Sequence, residues 1–224
     1  MGLTIATFVP DGIVIASDSL AEIRHQDDGF FQSEIEKLLV VDDKYVLAIE
    51  GNGFYEGIPV SSYLLRLLYK PLGCSSVLDV AKKILQVLAE LMPNESLMTY
   101  IAGYDYNGDQ AKPVVALIHD NHIDCINQAP DGTAVYNFHS IGRTHWVNKL
   151  LMQTQGVAGE EKVEFQGFDI DFSKYSIAYA KEFSDNLITI SERMDRYSQL
   201  KPMVGGKHQV AVIRPFKSIQ ISTF

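Results

Sequence analysis

Two apolar runs, Leu3 to Val9 and Ile13 to Ala16, are separated by Pro10-Asp11-Gly12. Proline pre-sets one turn position and glycine accepts positive φ without steric cost, so the spacing predicts a hairpin. Both runs are rich in Ile, Val, Phe and Thr, and the second is apolar at successive positions, the pattern of a strand covered on both faces. That strand runs into the polar cluster Ser17-Asp18-Ser19. Because the sequence enters a central strand at once, its N-terminus is expected at the end of a buried sheet, beside a carboxylate.

Residues 21–35 are polar and carry Asp27-Asp28-Gly29, which predicts an exposed loop whose closure costs little extra entropy. Lys37 to Lys44 and Tyr45 to Gly51 predict a second hairpin turning at Asp42-Asp43-Lys44. From Gly53 the period changes: Val60, Tyr63, Leu64, Leu67 and Leu68 recur at helical spacing, predicting a helix from Pro59 to Lys70 that Pro71-Leu72-Gly73 stops. Ser76 is the expected N-cap of a second helix, with Val77, Val80, Ala81, Ile84, Leu85, Leu88 and Leu91 on its apolar face. Runs beginning at Ser96, Pro113, His122 and Ala134, with turn signals at Asn107-Gly108, Asp120-Asn121 and Asp131-Gly132, predict a four-strand antiparallel meander. A helix from Arg143 to Gln155, a long helix capped by Asp171, and strands from Gln209 and Ile219 complete the pattern.

The order ββββ, αα, ββββ, αα, ββ predicts an α+β fold: a four-layer α/β/β/α sandwich of two antiparallel sheets flanked by helices. No repeat, low-complexity tract or linker divides the sequence, so residues 1–224 are expected to form a single domain.

Composition adjusts this picture in few places. With 46% hydrophobic and 21% charged residues the chain is of globular type. A net charge of −9 and no basic cluster argue against nucleic acid or an anionic membrane as partner. No apolar run reaches the roughly 20 residues that span a bilayer, and a signal peptide's basic start and apolar core are missing, so a cytoplasmic protein is expected. Cys74 and Cys125 match no metal-ligand spacing, and neither do the six histidines, so no metal and no cofactor are expected.

Several short motifs carry a family likeness. Asp11-Gly12-Ile13-Val14-Ile15-Ala16-Ser17-Asp18, Lys37-Leu38, Gly51 after Val46 to Ile49, Ile141-Gly142 ahead of a helix, and Gly205-Gly206 ahead of Val210 to Ile213 stand in order over essentially the whole chain. In this the sequence resembles the proteasome β-subunit family of N-terminal nucleophile (Ntn) hydrolases, a threonine-type peptidase family. The resemblance implies the four-layer fold, assembly into a homo-oligomer or ring with the helix from Pro59 to Lys70 as one contact surface, and a catalytic set. In that set an N-terminal Thr attacks an amide carbonyl, a buried Lys and an Asp tune it, and a glycine N–H stabilises the oxyanion.

Carried over by position, Asp18 takes the Asp role, Lys37 the Lys role and Gly51 the oxyanion role, while the nucleophile position falls on Gly2. Glycine has no nucleophile. Arg143 stands where the family has Ser, and the Asp and Ser expected before the double glycine find no match in Lys201 to Gly205. The plain readings are a buried Asp18–Lys37 ion pair and a glycine that serves backbone conformation at residue 51. The sequence therefore points to a proteasome-subunit-like structural or assembly protein with a degenerate site. Its alternatives are an active hydrolase using Thr4 after removal of the first three residues, which keeps strand-face parity with Gly2, and a peptide or small-molecule binder reusing the cleft with Arg143 as an anion contact.

Overall fold

The structure, a computed structural model, describes residues 2–24, 30–51, 54–55, 57–68, 72–92, 97–151, 154–158, 161–165, 170–198 and 202–224. The chain is mixed α and β, with four α-helices among the described residues. Its larger strands are β1 (Leu3–Val9), β2 (Gly12–Asp18), β3 (Leu38–Val41), β4 (Tyr45–Gly51), β5 (Leu97–Asn107), β6 (Gln110–His119), β7 (His122–Cys125), β8 (Phe138–Gly142), β9 (His208–Ile213) and β10 (Gln220–Thr223). The helices are α1 (Val60–Leu68), α2 (Val77–Leu91), α3 (His145–Leu151) and α4 (Ile177–Tyr197). The strands form two five-stranded antiparallel sheets, ordered β8-β1-β2-β9-β10 and β7-β6-β5-β4-β3.

Every residue of β1 and β2 is buried, because the alternating side chains of these strands enter two different cores. Ala6, Phe8, Ile13 and Ile15 pack with Val46, Ala48, Tyr100 and Ala102 of the other sheet. Leu3, Ile5, Val9, Val14 and Ala16 turn the opposite way, to Val147 of α3 and to Ile177, Ala180 and Ile188 of α4. The second sheet buries Leu47, Ile49 and Ile101 against Leu64 of α1 and Val80 and Ile84 of α2. Each such side chain removed from water contributes about 1.5–3 kcal/mol, which is why the strands need no polar face.

The expected N-cap of α2 is present: Ser76 accepts a hydrogen bond from Asp79 N at 3.1 Å. Other expectations are corrected. The polar stretch after β2 is not simply a loop, since Leu20–Arg24 pairs with Phe30–Glu34 as a small hairpin. The four-strand meander does not form. β5, β6 and β7 are neighbours, but β8 crosses to the first sheet and pairs with β1. Between β7 and β8, Asn127 is tied to the edge of β6, accepting from Val115 N at 2.8 Å and donating to Pro113 O at 3.1 Å. The long connection that follows lets the chain change sheets, and an apolar strand pattern does not say which sheet it joins.

Asp171 caps a short 3-10 turn at Phe172–Lys174 rather than the long helix, which starts at Ile177. Helix α3 ends at Leu151, short of the expected Gln155, and α1 spans Val60–Leu68; Lys70, Pro71 and Gln153 lie outside the described residues. In the opening hairpin Gly12 does not use its positive-φ freedom. A Cβ there would meet Ile213 O at 2.7 Å and Ile177 Cδ1 at 2.2 Å, so close approach explains the glycine.

Candidate functional site

The starts of β1 and β3 and the ends of β2 and β4 meet at one corner. Asp18 closes β2, Lys37 precedes β3, and Glu50-Gly51 closes β4. Lys37 Nζ donates to Asp18 Oδ1 at 2.7 Å and to Glu50 Oε1 at 3.3 Å. Asp18, Lys37 and Glu50 are 0%, 3% and 2% exposed, so these charges are met almost wholly by protein groups. Asp18 also accepts from Leu3 N at 2.8 Å and, through its other oxygen, from Gly205 N at 2.9 Å. Glu50 accepts from Gly2 N at 3.0 Å and from Thr4 Oγ1 at 2.8 Å.

Burial alone pushes the Lys37 ammonium down, but Glu50 and Asp18 outweigh it and hold the group above the usual 10.5. Burial pushes the Glu50 carboxyl above its usual range, with Asp18 adding to the rise and Lys37, Thr4 and Gly2 opposing it. This lysine is therefore held as a cation by two carboxylates and is poorly suited to accept a proton at neutral pH.

The sequence-predicted residues are largely brought together here. Gly2 sits where a side chain has no room: a Cβ on it would lie 1.9 Å from Lys37 Nζ and 2.1 Å from Asp18 Oδ1. A lysine tip elsewhere would swing aside, whereas this one is anchored by two carboxylates. Thr4 is fully buried, and its Oγ1 lies 2.8 Å from Ser17 Oγ as well as bonding Glu50. Gly51 has φ +117°, a conformation that favours glycine. A narrow cleft runs past Gly2, Lys37, Glu50 and Gly51 towards Ser61.

Arg143 is not among the residues lining that cleft. Its backbone N donates to Gly2 O at 2.7 Å, while its side chain is directed to Asp195, its buried Nε lying 3.9 Å from Asp195 Oδ1. Asp195, on α4 and fully buried, accepts from Trp146 Nε1 at 2.8 Å, Met203 N at 3.1 Å and Val204 N at 3.3 Å. It holds the loop whose next residue, Gly205, donates to Asp18.

Glu50, Asp195 and the Gly205 N–H were missed by sequence reasoning. Glu50 did leave a signal, a lone carboxylate at the end of the apolar run Val46 to Ile49, where a strand side chain is buried and a charge needs a partner. Asp195 left none, because its side-chain partner comes from α3, far away in sequence, and its backbone partners from the way the loop after α4 folds back. Among the described residues no group of three or more His, Cys, Asp and Glu is placed to hold a metal ion, and no helix is long and apolar enough to cross a membrane.

The fold is of the proteasome-like kind, and the solved structures that resemble the chain include Anbu (ancestral beta-subunit) proteins. Anbu from Yersinia bercovieri matches with TM-score 0.60 at 13% identity, over 99% of this chain and 86% of that one. The helical assembly of the Anbu complex from Pseudomonas aeruginosa matches with TM-score 0.63 at 15% identity, over 99% and 85%. Anbu from Hyphomicrobium sp. strain MC1 matches with TM-score 0.65 at 13% identity, over 99% and 86%. No family model matches the sequence, and no curated protein matches it. The expectation of a proteasome β-subunit of the Ntn hydrolases is thereby corrected: the likeness is to Anbu, and at 13–15% identity it establishes a shared fold and no hydrolase.

Proposed function

We propose that the chain is an Anbu-like subunit of a self-associating, non-hydrolytic assembly, working as one four-layer α/β/β/α domain over residues 1–224 in the cytoplasm. The observation that carries this reading is at Gly2. The nucleophile position has no side chain, and the space for one is filled by the Lys37–Asp18 pair. Under this reading Asp18 and Lys37 hold the ends of β1, β2 and β3 together, Gly51 supplies a backbone turn, Thr4 serves as an interior hydroxyl bonded to Glu50, and Arg143 serves the α3–α4 side. Self-association is supported by the Pseudomonas Anbu described as a helical assembly and by apolar side chains exposed on and just ahead of α1, Leu65 at 45% and Ile58 at 42%.

Multi-angle light scattering tests the assembly claim: particles of several subunits are expected, and a monodisperse monomer at working concentration would defeat it. A covalent β-lactone probe tests the inactivity claim, with no labelled residue expected. Labelling at Thr4 would replace this reading with the hydrolytic one.

A further inference from the structure

Among the described residues, β10 is an outer strand of the first sheet. His208 and Phe224 exchange both backbone hydrogen bonds, His208 N to Phe224 O at 3.2 Å and Phe224 N to His208 O at 2.9 Å. In an antiparallel pair such exchanges fall on alternate residues, so Val210 with Ser222 and Val212 with Gln220 use the inner side of β10 in the same way. Ile221 and Thr223 therefore turn their N–H and C=O groups outward, away from β9.

Natural sheets refuse partners at such an edge with charges placed on the strand or beside it. Two other edges follow that rule: β7 carries Asp124, and β3 runs into Asp42-Asp43. Strand β10, Gln220-Ile221-Ser222-Thr223, has no charge, and Ile221 and the following Phe224 are 41% and 61% exposed. Its outward pattern is also its own complement. A second β10 laid antiparallel about a two-fold axis at Ser222 sets Ile221 of each copy against Thr223 of the other, so every outward N–H finds a carbonyl.

The surface beside that axis fits the same occupant. Lys181 of α4 stands level with Ser222, its Nζ 3.4 Å from Ser222 Oγ and 4.5 Å from the centre of the Phe224 ring. Glu182 and Asp185 line the same groove, and Asp185 is engaged by His208 Nδ1 at 2.6 Å. Two copies thus bring Lys181 and Glu182 together in equal number, and the contact avoids the like-charge opposition expected between chains that each carry −9.

We propose that β10 is a self-pairing edge, through which two copies join across a two-fold axis at Ser222 and merge their five-stranded sheets into one continuous antiparallel sheet. This rests on the self-association proposed above and names one of its contacts, separate from α1, which packs on the second sheet.

Thr223→Pro removes an outward N–H and leaves every bond to β9 in place, and proline suits an edge strand. By light scattering, the particle mass of the full chain is expected to fall at least twofold on this substitution, with the far-ultraviolet circular dichroism unchanged. An assembly of unchanged mass would overturn the edge pairing and leave the assembly reading standing, whereas a monomeric wild type would overturn both. Should Thr223→Pro fail to fold, cysteine cross-linking decides the matter. Residues opposed at a non-hydrogen-bonded position have Cα atoms about 4.5 Å apart, within disulfide range. In chain with Cys74 and Cys125 replaced by Ser, Ser222→Cys is expected to give a covalent dimer on mild oxidation in air. Gln220→Cys, which the pairing sets opposite Phe224, is expected to give none. Failure of Ser222→Cys to cross-link, or equal cross-linking at both positions, would overturn the pairing.

Discussion

Two buried aspartates, Asp18 and Asp195, lie on either side of the same loop and are satisfied in opposite ways. Asp195 is met by neutral donors, the Trp146 indole N–H and the Met203 and Val204 amides, with the Arg143 guanidinium only at the edge of contact. Asp18 is met by a full charge, Lys37, together with the Leu3 and Gly205 amides, and it shares that charge with Glu50. Between them they position residues 203–205. The Asp195 arrangement is a clamp that any well-placed donors supply. The Asp18 arrangement depends on charge balance, so a change that alters no shape but removes a charge disturbs it.

The sharpest way to break this contrast is Lys37→Met, which leaves two carboxylates buried without their cation. Loss of about 3–5 kcal/mol is expected, read from urea midpoints, and the deficit shrinks as pH falls and Glu50, already raised by burial, protonates. A loss under about 1 kcal/mol would mean that the corner is not held by charge. The same lysine sets an alkaline limit. Burial lowers its pKa, but Glu50 and Asp18 raise it more, so its folded value lies above 10.5. Its stabilisation is therefore fully present below that pH and is lost as pH rises through the folded value; urea midpoints steady up to pH 10.5 and falling beyond it are expected.

Next in size is Asp195→Ala, which leaves three donors unpaired; roughly 2–4 kcal/mol is expected at a net cost of ~1 kcal/mol or more for each. This loss, unlike that of Lys37→Met, is not relieved by mild acid. Because the protein has a single tryptophan, Trp146, its emission reports the same event. Amide exchange at Met203 and Val204 should accelerate, and unchanged exchange would remove the clamp from the comparison.

Gly2→Ala tests whether the corner has room. A cost of roughly 1–3 kcal/mol is expected from displacing the anchored lysine, and Gly2→Thr is expected to fold less stably without reacting with a β-lactone probe. A labelled threonine would show that only the side chain had been missing. Smallest is Asp124→Asn at the exposed His119. The hydrogen bond that His119 donates to Asp124 holds its imidazole above 6.5, against the opposing effect of burial, so the pair contributes below pH 6.5 and fades as pH rises through the folded value. At a surface site about 0.5 kcal/mol or less is expected, with the His119 titration dropping towards its ordinary value by NMR.

The sheet strands were readable because burial on both faces writes itself as an unbroken apolar run, as in Ile13 to Ala16 and Val114 to Ile118. The turn at Asp42-Asp43 was readable too, both residues having positive φ. What failed was pairing: Phe138–Gly142 looks the same whether it extends β7's sheet or crosses to β1, since local pattern carries period and not partner. At the site, Asp18 was legible as the polar end of an apolar strand, whereas Lys37 and Gly51 were singled out by the family resemblance. Glu50 was passed over because a single carboxylate between Ile49 and Gly51 resembles an exposed strand end until its neighbours are known.

The sequence by itself determined most of the larger strands and helices, the mixed α and β class and the strands buried on both faces, because propensity and periodicity are local properties. Only the tertiary structure decided that Glu50 joins Asp18 on Lys37, that the room at Gly2 is already taken, and that Asp195 reaches the loop before Gly205. Those facts depend on the packing of strands and helices far apart along the chain, where a shift of an ångström or two makes or breaks a hydrogen bond.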